Sequence, residues 1–134
     1  MNGARSALGR LYASITWLKA SASRSTAAVD RDADAFNQVM LAYKRPKAER
    51  APFIEEALHG AAEVPLQVTE RIHALQQRLD ALEIPARFAS DLAVAKALAV
   101  AARVGAMENV NINLESIGDA AFKRAVALRL QALG

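Results

Sequence analysis

An all-α fold, an antiparallel bundle of long helices forming one domain over residues 1–134, is what this sequence predicts. Three observations predict it. Apolar residues recur three and four apart along most of the chain, the spacing that stacks side chains on one face of a helix. Alanine and leucine dominate a hydrophobic content of 53%, and alanine loses no side-chain entropy on entering a helix. Aromatic residues make up only 5% of the chain, and with β-branched residues also sparse there is little to build a sheet from.

The first helix is expected over residues 4–20, with Leu8, Leu11, Tyr12, Ile15 and Leu18 on one face. The small polar stretch 21–28 either continues it or forms a joint. A second helix follows over 29–44, where Val29, Ala33, Phe36, Met40 and Tyr43 make a stripe expected to be buried. Lys44-Arg45-Pro46-Lys47 ends it, because proline disfavours helical geometry in the residue before it.

The next helix starts near Pro52 and carries Ile54, Leu58, Ala62, Leu66, Ile72, Leu75, Leu79 and Leu82. Pro65 lies inside this run and is expected to kink or divide it, since it removes one internal hydrogen bond. Ile84-Pro85-Ala86-Arg87 closes the segment. Ser90 is placed to cap a further helix, with Asp91 in its first turn. Alanine is dense over 93–106, and small side chains permit close approach, which suggests the central or interface helix. Asn109, Asn111 and Asn113 alternate with apolar residues, a period of two that reads as a short strand when taken alone. Gly118 breaks the chain, Asp119 is a cap, and Phe122, Val126, Leu130 and Leu133 carry a last helix.

Composition narrows the function. Without cysteine there is no disulfide, thiolate metal site or thiol nucleophile. A net charge of +3 suits small polyanions but is too dispersed to indicate nucleic acid. Arg5, Arg10, Lys19 and Arg24 precede the first acid, Asp30. That bias occurs in transit peptides, although an ordinary amphipathic helix explains it better. No apolar run approaches the roughly 20 residues needed to span a bilayer, so no membrane partner is expected and the cytoplasm is the expected setting.

No phosphate-binding glycine loop, nucleophile elbow or metal-ligand spacing occurs, so no metal site is expected. His59 and His73 are fourteen apart and are read as half-exposed helix residues. Asp30 and Asp34 share a solvated helix face. The asparagine triplet is placed to bond a ligand or to cap backbone groups.

The order of these features carries a resemblance. Asp32-Ala33-Asp34-Ala35-Phe36, Val39-Met40-Leu41-Ala42-Tyr43 with Pro46-Lys47, Ala61-Ala62-Glu63-Val64-Pro65-Leu66, Ser90-Asp91 and Asn109-Val110-Asn111-Ile112-Asn113-Leu114 resemble successive landmarks of the cyclodeaminase and methenyltetrahydrofolate cyclohydrolase family over residues 29–122. The resemblance implies a helical homodimer that takes a tetrahydrofolate derivative as substrate and needs no other cofactor. It either eliminates ammonia from the formimino form or hydrolyses the methenyl form. Asp91 would then move protons, with helix capping as its alternative role. Lys44 and Lys47 would meet the folate carboxylates or merely decorate a loop. Ser90, Asn111 and Asn113 would contact substrate, with capping again the alternative.

The sequence also departs from the family pattern. Residues 1–28 hold no Thr-Pro-Gly-Gly-Gly-Ser-like turn, Ile84-Pro85-Ala86-Arg87 stands where a Gly-Asn-x-Asn run is usual, and the chain ends soon after Phe122 where relatives continue with another long helix. Weak folate binding and slow turnover are therefore expected. The competing reading is a non-catalytic helical binding or oligomerisation domain that keeps the scaffold.

Overall fold

The computed structural model describes residues 2–134, with side chains described for residues 9, 10 and 12–134. Four α-helices and one short 3-10 turn make up the described chain, with no strand among the described residues. They are α1 (Asn2–Tyr43), α2 (Ala51–Asp80), the 3-10 turn (Ala86–Phe88), α3 (Ala89–Glu115) and α4 (Ala120–Gln131).

α1 is one helix of 42 residues, so the polar stretch 21–28 continues it. Its hydroxyls bond back to the carbonyls four residues earlier: Ser25 Oγ donates to Ser21 O at 3.0 Å and Thr26 Oγ1 to Ala22 O at 3.2 Å. A polar side chain satisfied in this way does not compete with the helix ladder. The expected buried stripe is overturned. Val29, Phe36, Met40 and Tyr43 are exposed, whereas Ser21, Ala28 and Ala42 are buried. Small residues spaced by sevens let α1 approach its neighbour closely, and this close packing turns the larger side chains outward. Tyr12 and Ile15 are likewise exposed; the expectation for Leu8 and Leu11 lies outside the described side chains.

α2 opens with a proline in its first two positions, where the missing N–H is an orphan in any case. It is a single helix with Pro65 inside it. The expected division does not occur, because Pro65 is buried among Ala61, Ala62, Leu66 and Thr69 and packing on both sides outweighs one lost bond. Thr69 Oγ1 donates to Pro65 O at 2.9 Å.

α1 runs antiparallel to α2: Arg78 stacks over Trp17 at 4.4 Å, Arg71 Nη1 donates to Arg24 O at 3.4 Å, and Arg31 Nη1 donates to Gln67 Oε1 at 3.2 Å. α2 runs antiparallel to α3, as Lys96 Nζ shows by lying 3.0 Å from Asp80 Oδ1. α2, not the alanine-rich α3, is thus the central helix, and α3 keeps one face uncovered. α4 crosses back beside α2 and α3 in the direction of α2. Two apolar clusters hold this half together: Leu58, Ala62 and Ile117 in one, Leu66, Val110 and Val126 in the other, both touched by Leu114 and Phe122.

The α3 start differs from expectation. Phe88 holds the cap position without a side-chain hydrogen bond, and Ser90 is an exposed residue inside the first turn. The asparagine run is helical as well, its alternation being a coincidence of composition within a 3.6-residue repeat. Asp119 is the cap expected of it, accepting from Ala121 N at 2.9 Å and Phe122 N at 3.0 Å. No helix among the described residues is long and apolar enough to cross a membrane.

Candidate functional site

Where α1 ends and α2 begins, the two helices splay around a groove of about 680 Å³, within the roughly 300–1,000 Å³ that small-molecule sites occupy. Ala35, Leu41, Phe53 and Ala57 supply its apolar wall, and Gln38, Lys44, Arg45 and Glu56 its polar groups. α1 ends at Tyr43, and Lys44 and Arg45 follow in the turn before Pro46. The Arg45 guanidinium lies 3.6 Å above the Phe53 ring centroid, a cation-π contact that shelters one face of the ring.

On another side of α2, Glu55 and His59 meet the turn before α4. The Glu55 carboxylate accepts from Asp119 N at 2.7 Å and Gly118 N at 3.3 Å, and those hydrogen bonds, Asp119 first, hold its carboxyl below the usual range. Asp119 is lowered by the Phe122 amide, then by that of Ala121. His59 stacks on Phe122 with centroids 4.0 Å apart and planes 3° from parallel. Its Nε2 is buried without a hydrogen bond, 3.5 Å from Glu55 Oε1 and 3.7 Å from Asp119 Oδ2. A proton on that nitrogen would face two carboxylates.

A third cluster ties α4 to α2. Arg129 donates to both Glu63 and Glu70, with four hydrogen bonds between 2.8 and 3.0 Å. Burial pushes the Glu63 carboxyl up, but the hydrogen bonds from Arg129 and Gln67 outweigh it and hold the group below its ordinary value. Arg129 is raised in turn, by Glu70 first and then Glu63.

The residues singled out by sequence are not gathered in one place. Lys44 lines the groove, and Lys47 stands exposed in the turn beside it. Asn111 and Asn113 lie in the last turns of α3, at the same end of the bundle. The Asn113 amide is turned back on its own helix, donating to Asn109 O at 2.9 Å. Ser90 and Asp91 sit at the other end of α3. Twenty residues of helix separate Asp91 from Asn111, about 30 Å at 1.5 Å per residue. Arg45, Phe53, Glu56, Glu55 and Asp119 were missed as site residues. The spacing of four between Glu55 and His59 was the available signal for that pair.

The class defined by this architecture is a helical domain built on one central helix, with a ligand-sized groove at one end. Over residues 5–132 the chain matches the family described as formiminotransferase-cyclodeaminase. It is 36% identical over 122 residues to the formimidoyltransferase-cyclodeaminase of Sus scrofa, an overlap covering 85% of this chain and 23% of that protein. The Mus musculus protein is 34% identical over the same length and shares of each chain. The Gallus gallus protein is 36% identical over 105 residues, 72% of this chain and 19% of its own. The chain belongs to the formiminotransferase-cyclodeaminase family, and it spans under a quarter of the length of these relatives. The match also reaches beyond residues 29–122 at both ends.

Proposed function

We propose that the chain binds a reduced folate and carries cyclohydrolase- or cyclodeaminase-type chemistry on its one-carbon unit, as a cytoplasmic domain that needs no other cofactor. The observation that carries this reading, beside the family, is the groove with Lys44 and Arg45 at its mouth and Phe53 in its wall. A folate is a flat heterocycle joined through an aryl amide to glutamate carboxylates. An apolar wall with one aromatic face accepts the rings, and two cations meet the carboxylates. Lys47 adds a third positive charge nearby.

Chemistry at the methenyl or formimino carbon needs a group that moves protons. Asp91 is the acid assigned to it, with Ser90 beside it and Asn111 and Asn113 as substrate contacts. Within one chain Asp91 stands at the opposite end of α3 from the groove and the asparagines, so this chain alone turns substrate over slowly. Proximity contributes much of an enzymatic rate, and misplacement by about 1 Å already costs on the order of a hundredfold.

The test follows loss of methenyltetrahydrofolate absorbance at neutral pH with the natural chain and with Asp91→Asn, each against the uncatalysed background. Slow turnover that falls further in Asp91→Asn supports the reading. Equal rates in both remove Asp91 from the mechanism, and absence of any folate binding favours the non-catalytic scaffold.

A further inference from the structure

At the end of the molecule away from the groove, a second cleft of about 470 Å³ lies between α1 and the turn that follows α2. Arg10, Ser14, Arg78 and Glu83 supply its polar groups. Eighteen residues of α2 separate Arg78 from Gly60 in the groove, about 27 Å at 1.5 Å per residue, so the two openings are separate sites.

Two of the charges in this cleft are opposite and do not meet. Arg78 lies 4.4 Å from the Trp17 ring centroid, and no carboxylate among the described residues pairs with it. Asp80, two residues on, is taken by Lys96 at 3.0 Å. Glu83 is exposed in the turn, and no cation among the described residues pairs with it. A ligand that carries the opposite pair answers both: a carboxylate for the guanidinium and an ammonium for the glutamate. The cleft also opens at the C-terminal end of α2, the negative end of its dipole, which suits an ammonium and works against a bare dianion such as phosphate. The Ser14 hydroxyl adds a hydrogen-bond donor on the α1 side.

Beside the charges is a shallow apolar recess. Leu18, Leu79 and Leu82 line it, and it shares Ser14, Arg78 and Leu82 with the cleft. An aliphatic side chain set there is removed from water while its charged end stays in the cleft. We propose that this cleft binds a free α-amino acid with an aliphatic side chain, its carboxylate on Arg78 and Ser14 and its ammonium on Glu83. Nothing in this site depends on the folate reading.

Trp17 is the chain's one tryptophan, so its emission reports on the guanidinium stacked over it. L-Leucine is expected to change that emission with half-saturation on the order of 1 mM, because charge pairs this exposed add little each. Acetate, methylammonium and glycine, which lack one charge or the side chain, should each need at least about tenfold more. Glu83→Gln leaves the contact between Arg78 and Trp17 in place and should weaken leucine about fivefold, with the acetate response unchanged. Equilibrium dialysis with labelled leucine reads binding even where the emission does not move, and Arg78→Gln should retain at least about fivefold less than the natural chain. Both side chains are exposed, so both variants should keep the natural helical circular dichroism. No leucine retained in dialysis, acetate as effective as leucine, or leucine binding unchanged in either variant overturns the proposal.

Discussion

The Arg129 guanidinium grips the Glu63 carboxylate with two parallel hydrogen bonds, Nη1 to Oε2 at 2.8 Å and Nη2 to Oε1 at 3.0 Å. Its remaining donors reach Glu70, two turns further along the same face of α2. Planar forks of this kind are the stronger class of ion pair, because both donors are aligned at once.

Arg129→Met therefore leaves two carboxylates without their shared cation. All three side chains keep about a third of their surface in water, 37% for Arg129, 34% for Glu63 and 33% for Glu70, so solvent screens part of the effect. A loss of about 1–2 kcal/mol is expected in urea unfolding. Arg129→Lys should recover less than half of it, since an ammonium cannot fork. A variant as stable as the natural chain would show that α4 docks on Val126 and Phe122 alone.

Acid should loosen the same half of the molecule. Glu63, Glu55 and Asp119 are all held below their ordinary values, 4.5 for the glutamates and 3.8 for the aspartate. Carboxyls lowered on folding contribute stability that is present above the unfolded values and lost as pH falls through the folded ones. Unfolding midpoints should thus be level from pH 7 to about 5 and decline below about 4.5. Glu55→Gln should flatten part of that decline; an unchanged acid limb would remove Glu55 from its cause.

Pro65→Ala pits two magnitudes against each other. The proline withholds one bond of the α2 ladder, a defect worth about 3 kcal/mol in a helix interior. Removing two buried ring carbons sacrifices about 1.6 kcal/mol at roughly 0.8 per methylene. A net gain of about 1 kcal/mol is expected, read as a higher thermal midpoint. Destabilisation would mean that the ring fills space no alanine can.

Charge at the groove should appear in affinity. Lys44→Ala and Arg45→Ala are each expected to weaken methenyltetrahydrofolate binding about fivefold, equivalent to roughly 1 kcal/mol for an exposed ion pair. Raised salt should narrow the difference. Phe53→Ala should weaken binding without altering that salt dependence. Titrations in which all three variants match the natural chain would place the ligand elsewhere.

Helix content and the central stripe of α2 were legible because Leu58, Ala62 and Leu66 repeat at helical spacing and are buried. The buried face of α1 was not legible. Hydrophobicity favours Val29, Phe36 and Met40 as the core, whereas contact with α2 requires the small Ser21, Ala28 and Ala42, and close approach between helices depends on size rather than on apolarity. Pro46 made the position of Lys44 readable, since it marks a chain end at which a charge is presented. Arg129 and Glu63 lie 66 residues apart, and nothing local joins them. Asp91 and Asn111 read as one site in sequence order, yet helix length sets them at opposite ends of α3.

α2 packs against each of the other long helices, while α1 is held mainly by α2, through small side chains and the Arg78–Trp17, Arg71–Arg24 and Arg31–Gln67 contacts, with Val39 at the edge of the Leu58 cluster. Opening need not be all-or-none in such a layout. α1 is free to peel away as one unit, leaving α2, α3 and α4 joined by their two apolar clusters and the Arg129 fork. Backbone amides of α1 would then exchange with solvent through this partial opening, well before those around Leu66 and Val110, which are protected until the whole chain comes apart.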